Sequence, residues 1–404
     1  MESVAIVIGI GAGSRYEEAH HEGISHFLEH MLFKGTSKRK DTLEISQVIE
    51  SVGGEINAST SKEITQLYAK VSQEHFKIAF DLLVDLIKNS LMREEDLQKE
   101  KNVIIEEIKK YEDIPEELVE ILLDEIMWKD HPLGRPILGE VKTVSNLQRE
   151  DLLSYMEEFY KPNNLVISVA GKVRIAEVVL QAKEYFKEMP SGKIKDYLPA
   201  NNIQRTAQVG VKFKRSSQTH LSLGFPAISR LSPDRYALDL LNIILGSGLS
   251  SRLFQEIRVK KGLAYDIHSF TQYFKDSGSF NVYAGIDSSK LKETIQAILQ
   301  ELNRVKEESL PEEELKKAKE IYKGALTLDL EDTLSRAFWL GDRLLLYREP
   351  LTSEEVKEKI EGVRKEDIQR LAGDIFTKDK INLSIVGPFK GKNMEEYNSI
   401  LPEL

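Results

Sequence analysis

The feature that most limits what this chain can fold into is a repeat, for the sequence is written twice. GIGAGSR at 9–15 matches GFPAISR at 224–230, and YAKV at 68–71 matches YAGI at 283–286, both at an offset of 215. LVISVAG at 165–171 matches INLSIVG at 381–387 at an offset of 216. The segments before that last pair, EDLLSYMEEFY and EDIQRLAGDIF, agree in kind as short amphipathic helices. Three collinear matches at a near-constant offset imply two homologous domains. The 404 residues are in any case too many for one ordinary core. MPSGKIKDYLPANNIQ at 189–204 breaks periodicity with Pro, Gly and Asn and reads as the linker. The expected domains are therefore 1–188 and 205–404.

Both halves predict one order of elements. In the first, strands are expected at 3–10, 54–60, 64–72 and 165–171, with helices near 22–34, 42–52, 74–90, 93–112, 116–128 and 149–160. In the second, strands are expected at 206–214, 219–225, 264–273, 278–286 and 381–387. Strands mixed with helical hairpins give an α+β class, each domain a largely antiparallel sheet covered by helices on one face. AQVGVKFK at 207–214 finds its counterpart before residue 1 when the offset is subtracted. The first domain is therefore expected to lack an N-terminal strand.

HEGISHFLEHMLFKGT at 21–36 carries the chemistry. On a helix turning about 100° per residue, His30 lies about 40° and Glu29 about 60° from His26. Ile24, Phe27, Leu28, Met31 and Leu32 fall on the opposite, apolar side. A histidine filling a core belongs among the apolar residues, and these two stand apart from them. Two imidazoles four apart on one face can converge on one ion, and zinc then needs a third protein ligand and an open position. The order H-x-x-E-H is a zinc-peptidase pattern. The chain has no cysteine, which excludes thiolate sites and disulfides and leaves histidine and carboxylate as ligands.

A third ligand is sought in REEDLQKEKNVIIEEIKKYED at 93–113. Helical phasing sets Glu100 and Glu107 two turns apart within a stripe of Leu97, Ile104 and Tyr111, and turns Glu106 toward solvent. Carboxylates on a burying face need a partner, which a metal ion or its histidine ligand would supply; salt bridges are the other reading.

These residues resemble the pitrilysin-type inverted-motif zinc peptidases, which include insulysin and the mitochondrial processing peptidases. The likeness extends to GSRYE at 13–17, GGEINAST at 53–60 and SRLFQEIRVKKGLAY at 251–265, and it covers both halves. It implies a zinc metalloendopeptidase in which His26, His30 and Glu107 hold Zn2+, and Glu107 lies 77 residues after His30. Glu29 would take a proton from zinc-bound water, and Glu100 would orient a ligand histidine. Arg258 and Tyr265, seven residues apart, would contact substrate and steady the oxyanion. Residues 54–60 would form an edge strand to which extended peptide substrates add, with Asn57 and Ala58 as contacts. Ser59 departs from relatives that carry an aromatic there. Members of this length pair two chains, so a homodimer is implied, with Arg258 and Tyr265 of one copy facing the zinc of the other. A catalytically silent scaffold subunit of the same family is the alternative reading.

In the second half the stretch matching 26–30 is LNIIL at 241–245, without histidine or carboxylate. One domain would thus be catalytic and its copy would supply substrate contacts. A net charge of −10 argues against nucleic-acid partners. No apolar run reaches the ~18 residues of a membrane span, and no signal peptide is visible, so a cytoplasmic protein is expected. VIGIGAGSR at 7–15 mimics a dinucleotide fingerprint but has Ser14 where the third glycine belongs, and GSGLSSR at 246–252 lacks the G-K-[ST] of a phosphate loop. His20, His21, His75, His131, His220 and His268 lack ligand spacing.

Overall fold

After Ser3 the segment SVAIVIGI is apolar at every position, and in the computed structural model of the chain the strand it forms is buried from Val4 to Ile10. A strand apolar on both faces needs cover on both. The structure describes residues 2–201, 204–348 and 350–389. Residues 202–203 of the expected linker and 390–404 of the expected second domain lie outside the described residues.

The first half runs β1 (Ser3–Ile10), α1 (Ile24–Leu32), α2 (Thr42–Glu50), β2 (Glu55–Thr60), β3 (Thr65–Ser72), α3 (Phe76–Asn89), α4 (Glu94–Asp113), α5 (Pro115–Met127), α6 (Val141–Asn146), α7 (Arg149–Phe159), β4 (Leu165–Gly171) and α8 (Ile175–Phe186). The second runs β5 (Gln208–Phe213), β6 (Thr219–Ala227), α9 (Arg235–Leu245), β7 (Ala264–Tyr273), β8 (Gly278–Ile286), α10 (Leu291–Glu307), α11 (Glu312–Asp329), α12 (Thr333–Asp342), α13 (Ser353–Gly362), α14 (Lys365–Ile375) and β9 (Asn382–Gly387). From β1 with β6 to β4 with β9 ten elements correspond in order, while β5, α2 and α8 have no counterpart among these elements, and the α+β class expected from the repeat holds.

The sheets are β2-β3-β1-β4, antiparallel throughout, and β5-β9-β6-β8-β7, antiparallel except where β5 runs parallel to β9. β5 has no counterpart among the described residues of the first sheet. Helix α8 lies outside the helices expected from the sequence pattern. Its Val178, Ala182, Tyr185 and Phe186 pack against the first core at helical spacing.

The packing units do not follow the linear halves. One comprises Met1–Lys110, Arg135–Leu198 and Leu328–Pro350; the other comprises Tyr111–Gly134, Pro199–Thr327 and Leu351–Leu404. Each half thus gives one helix to the other half's sheet. These helices, α5 and α12, are themselves counterparts in the repeat.

In the first unit Val4, Ile6, Ile8 and Ile10 face a large core shared with α1, α3 and α4. The alternate residues Ala5 and Val7, with Ala170 of β4, face Ala337 of α12, flanked by Leu334 and Phe338. Small residues on that face let the helix approach closely. Helices of the same half cover one face, as the mixture of strands and helical hairpins implied, and one helix from the other half covers the opposite face. In the second unit α5 lies on β6 and β9, with Leu118 and Val119 against Tyr283 and Val386. Ser384 Oγ donates to the Val119 carbonyl at 2.8 Å. Beside it Glu120 is half-buried with one carboxyl oxygen shut off from solvent, and desolvation pushes its carboxyl up to about 8.

The linker is not free chain throughout. Ile194 and Tyr197 pack on the first core. The Arg15 guanidinium lies 4.1 Å from the Tyr197 ring centroid and donates to the Leu198 carbonyl at 3.0 Å.

Candidate metal centre

The helix that carries the histidines is fixed at its start and along its back. Gly23 precedes α1 with φ +92°, a left-handed conformation that favours glycine, and a Cβ there would meet the Leu138 carbonyl oxygen at 2.4 Å. The Glu17 carboxylate accepts from the amides of Gly23 at 2.8 Å and Ser25 at 2.9 Å, and also from the Ser25 hydroxyl. It takes up amides that the first turn leaves unbonded, with negative charge at the positive end of the helix. Burial pushes this carboxyl up to about 7, against the pull of those bonds. Ile24, Phe27, Leu28, Met31 and Leu32 are all buried, and each such side chain stabilises by about 1.5–3 kcal/mol relative to exposure.

On the other face His26 is buried and His30 is half-buried, with ring centroids 4.7 Å apart. Glu107 Oε2 of α4 lies 3.8 Å from His26 Nε2 and 3.6 Å from His30 Nε2. One ligand atom from each of the three residues lies within 4.8 Å of the other two. Those separations are too long for hydrogen bonds. They are close to the ~3.4 Å between ligand atoms that a tetrahedral ion with bonds of about 2.1 Å requires. Burial first, and His30 second, push the His26 imidazole down to about 4. Its ring is therefore neutral at neutral pH, with a lone pair to donate. The donor set fits a divalent transition metal of the zinc type.

Glu100 stands behind the histidine pair. Its Oε2 meets His30 Nδ1 at 3.1 Å and its Oε1 takes the Lys34 ammonium at 2.7 Å. Burial alone would raise this carboxyl, but the bonds from His30 and Lys34 hold it below the ordinary value. An ionised Glu100 makes Nδ1 of His30 the donor and leaves Nε2 free toward Glu107. His26 Nδ1 has no such partner among the described residues. Lys34 was not singled out in the sequence. It lies one turn beyond His30, and i,i+4 spacing alone could have found it.

Glu29 lies beside the ligands, half-buried, and burial raises its carboxyl above the ordinary value. The Thr60 hydroxyl, at the end of β2, donates to its Oε2 at 2.5 Å. Sequence reasoning missed this residue, since only the register of β2 reveals it. The Tyr160 hydroxyl is buried without a hydrogen-bond partner among the described residues. Burial and then the Glu29 charge raise its pKa.

β2 is an edge strand, paired with β3 on one side only. The Ala58 amide donates to the Asn57 side-chain oxygen at 2.8 Å, not to β3. Alternation along the strand therefore turns the main-chain groups of Ile56, Ala58 and Thr60 to the open edge. Asn57 Oδ1 occupies the place a carbonyl of an added strand would take.

Arg258 and Tyr265 belong to the other unit. Arg258 sits on a π-helical turn, Phe254–Lys260, and its guanidinium lies 4.9 Å from the Phe254 ring centroid and 5.4 Å from that of Tyr265. Tyr265 falls at an irregularity in the β7 ladder between Ala264 and Asp266 and is 73% exposed. The exposed Tyr265 ring and the Arg258 guanidinium thus lie side by side. The remaining histidines have other settings: His21 faces Asp151 at 3.3 Å, and His220 bonds the Tyr283 hydroxyl at 2.7 Å. Among the described residues no helix is long and apolar enough to cross a membrane.

The chain is similar to known proteins over nearly its whole length. Residues 1–141 match the family model described as Insulinase (Peptidase family M16), and residues 146–322 match the one described as Peptidase M16 inactive domain. The chain is 38% identical over 391 residues to the uncharacterized zinc protease YmxG of Bacillus subtilis, covering 96% of this chain and 94% of that one. An uncharacterized zinc protease of Streptomyces coelicolor is 37% identical, covering 97% and 86%. The crystal structure of a protease from Helicobacter pylori superposes with a TM-score of 0.90 at 24% identity, covering 96% of this chain and 94% of that chain, which speaks for the fold.

Proposed function

This chain belongs to the insulinase family, peptidase family M16, and from that premise we propose that it is a zinc-dependent endopeptidase cleaving peptides or unfolded segments bound in extended form. The observation that carries the reading is the convergence of His26, His30 and Glu107 on one ion-sized gap with Glu29 beside it. A zinc ion held by those three residues supplies a Lewis acid that acidifies water and polarises a peptide carbonyl.

The chain's own residues supply the rest. Glu29, ionised, takes the proton from the attacking water and passes it to the leaving amine. Its half-buried setting raises its affinity for that proton. Glu100 holds His30 in the tautomer and orientation a ligand needs. Substrate adds to the open edge of β2 once the Asn57 carboxamide turns away from the Ala58 amide, and main-chain pairing gives broad specificity. Arg258 and Tyr265 provide donors to substrate and oxyanion, contributed between copies in a homodimer. Full activity retained by a monomer at high dilution would remove that arrangement.

The deciding experiment pairs metal analysis with mass spectrometry of a peptide-library digest, for wild type and Glu29→Gln. Zinc in both, with cleavage at least ~1,000-fold slower in the variant, is the expected result. Equal cleavage by both removes Glu29 as base, and zinc without cleavage by either makes the chain a silent member of the family.

A further inference from the structure

We propose that Thr60 is a positioning residue for Glu29: its hydroxyl pins one carboxylate oxygen, so that the other is the one presented to the reacting water. The role in catalysis rests on the peptidase reading above. The pinning itself does not.

Two rigid elements meet at this contact. Glu29 rides on α1, whose back is buried in the core and whose start is tied by Glu17. Thr60 is the last residue of β2, paired with Thr65. Beyond it the chain turns tightly, with the Ser61 amide bonded to the Ile64 carbonyl at 2.8 Å. That turn is held from outside by the Arg15 amide on the Lys62 carbonyl at 2.7 Å and by a buried Arg15–Glu63 ion pair at 2.7 Å. Strand alternation sets Ile56, Ala58 and Thr60 on the α1 side, and Ala58 is buried in the shared core. The hydroxyl is thus delivered by a fixed hairpin to a fixed helix.

The last torsion of a glutamate is soft and roughly two-fold, so a carboxylate without a partner samples both orientations. Among the described residues, Thr60 is the hydrogen-bond partner that the Glu29 side chain has. The bond to Oε2 leaves Oε1 as the oxygen with free lone pairs.

The second unit sharpens the question. There Tyr273, the last residue of β7, donates its hydroxyl to Asp239 of α9 at 2.7 Å. A tie from strand end to helix carboxylate therefore occurs where the metal residues are absent, and a purely structural role is the rival to exclude.

Thr60→Val keeps the shape and removes the donor, and Thr60→Ser keeps the donor. In zinc-loaded full-length enzyme, Thr60→Val is expected to lower kcat about 10–100-fold with KM within about two-fold, and Thr60→Ser to stay within about three-fold of wild type. Zinc content and Tm should match wild type in both. Unchanged kcat in Thr60→Val, or a loss that Thr60→Ser fails to rescue, overturns the catalytic role. Crystal structures of the variants give a readout without activity. Glu29 turned to a new rotamer in Thr60→Val over an unmoved β2 supports the pinning, and Glu29 in place overturns it. If wild type cleaves no peptide, the peptidase reading fails while the crystallographic comparison still decides the role of Thr60.

Discussion

Helix α1 and its counterpart α9 sit in matching places in two copies of one fold and spend the same face differently. In α1 that face carries His26, Glu29 and His30. In α9 the residues 215 further on are Leu241, Ile244 and Leu245, all buried in core. The partner helices differ in the same sense, since Glu100 of α4 is matched by the buried Leu315 of α11. The fold therefore does not need the polar face. Where it is kept, each carboxylate involved has polar neighbours: Thr60 for Glu29, His30 and Lys34 for Glu100, and the two histidines that Glu107 faces. Where it is lost, leucine and isoleucine fill the space and no partners are required. The cluster of His26, His30 and Glu107 is an addition to a stable core, and the second copy displays that core without it.

The largest expected effect comes from exchanging residues between the copies. His30→Leu, which installs the residue of position 245, should weaken zinc retention at least ~100-fold, read by metal analysis after dialysis. The reverse change, Leu245→His, buries an imidazole without a partner and should cost about 2–4 kcal/mol in denaturant unfolding, with no second zinc gained. Zinc retained by His30→Leu would break the comparison.

A smaller effect is expected in the second unit. Arg258→Ala and Tyr265→Phe should each lower kcat/KM by about 10–100-fold through lost transition-state contacts while zinc content stays at the wild-type level. Loss of zinc in either variant would mean that the division of labour between the copies is drawn in the wrong place.

The smallest effect concerns the second faces of the sheets: Ala5 and Val7 meet α12 in one unit, while in the other Ser384 meets α5, the helix that carries Glu120. Burial lifts Glu120 to about 8, above its unfolded value of about 4.3. The folded chain keeps this proton after the unfolded chain has released it. The group's stability contribution is therefore full below about pH 4 and is lost as pH rises through 8. Glu120→Gln should lose about 1–3 kcal/mol less than wild type between pH 6 and pH 9. Parallel stability curves for the two would show that Glu120 ionises without cost.

Much of this was legible in the sequence for a physical reason. Strands 3–10, 165–171, 264–273 and 278–286 have the bounds their patterns predict, and in the first and last of them burial dictates the residue type at nearly every step. The ligand helix was legible too, because polar and apolar residues segregate at 3.6-residue spacing on α1 and α4. Thr60 was not, because its meaning depends on strand parity against a helix 31 residues earlier. The destination of α5 and α12 was not legible either, since an amphipathic helix announces that it will be covered but not by which sheet. A clue lay in β1 itself: a strand apolar on both faces calls for a second cover, and the small Ala5 marks the side where a helix comes close.

The exchange of those two helices bears on how such a gene can change. Cut anywhere in 189–204, neither half would carry what it needs to close its own sheet: the first would lack α12, and the second would lack α5. Each fragment would expose a strip of apolar sheet and would be soluble only beside the other. Each copy thereby depends on the other for one covering helix. The two copies can drift apart in chemistry, as the histidines and leucines record, but discarding either would uncover a sheet face of the one that remains.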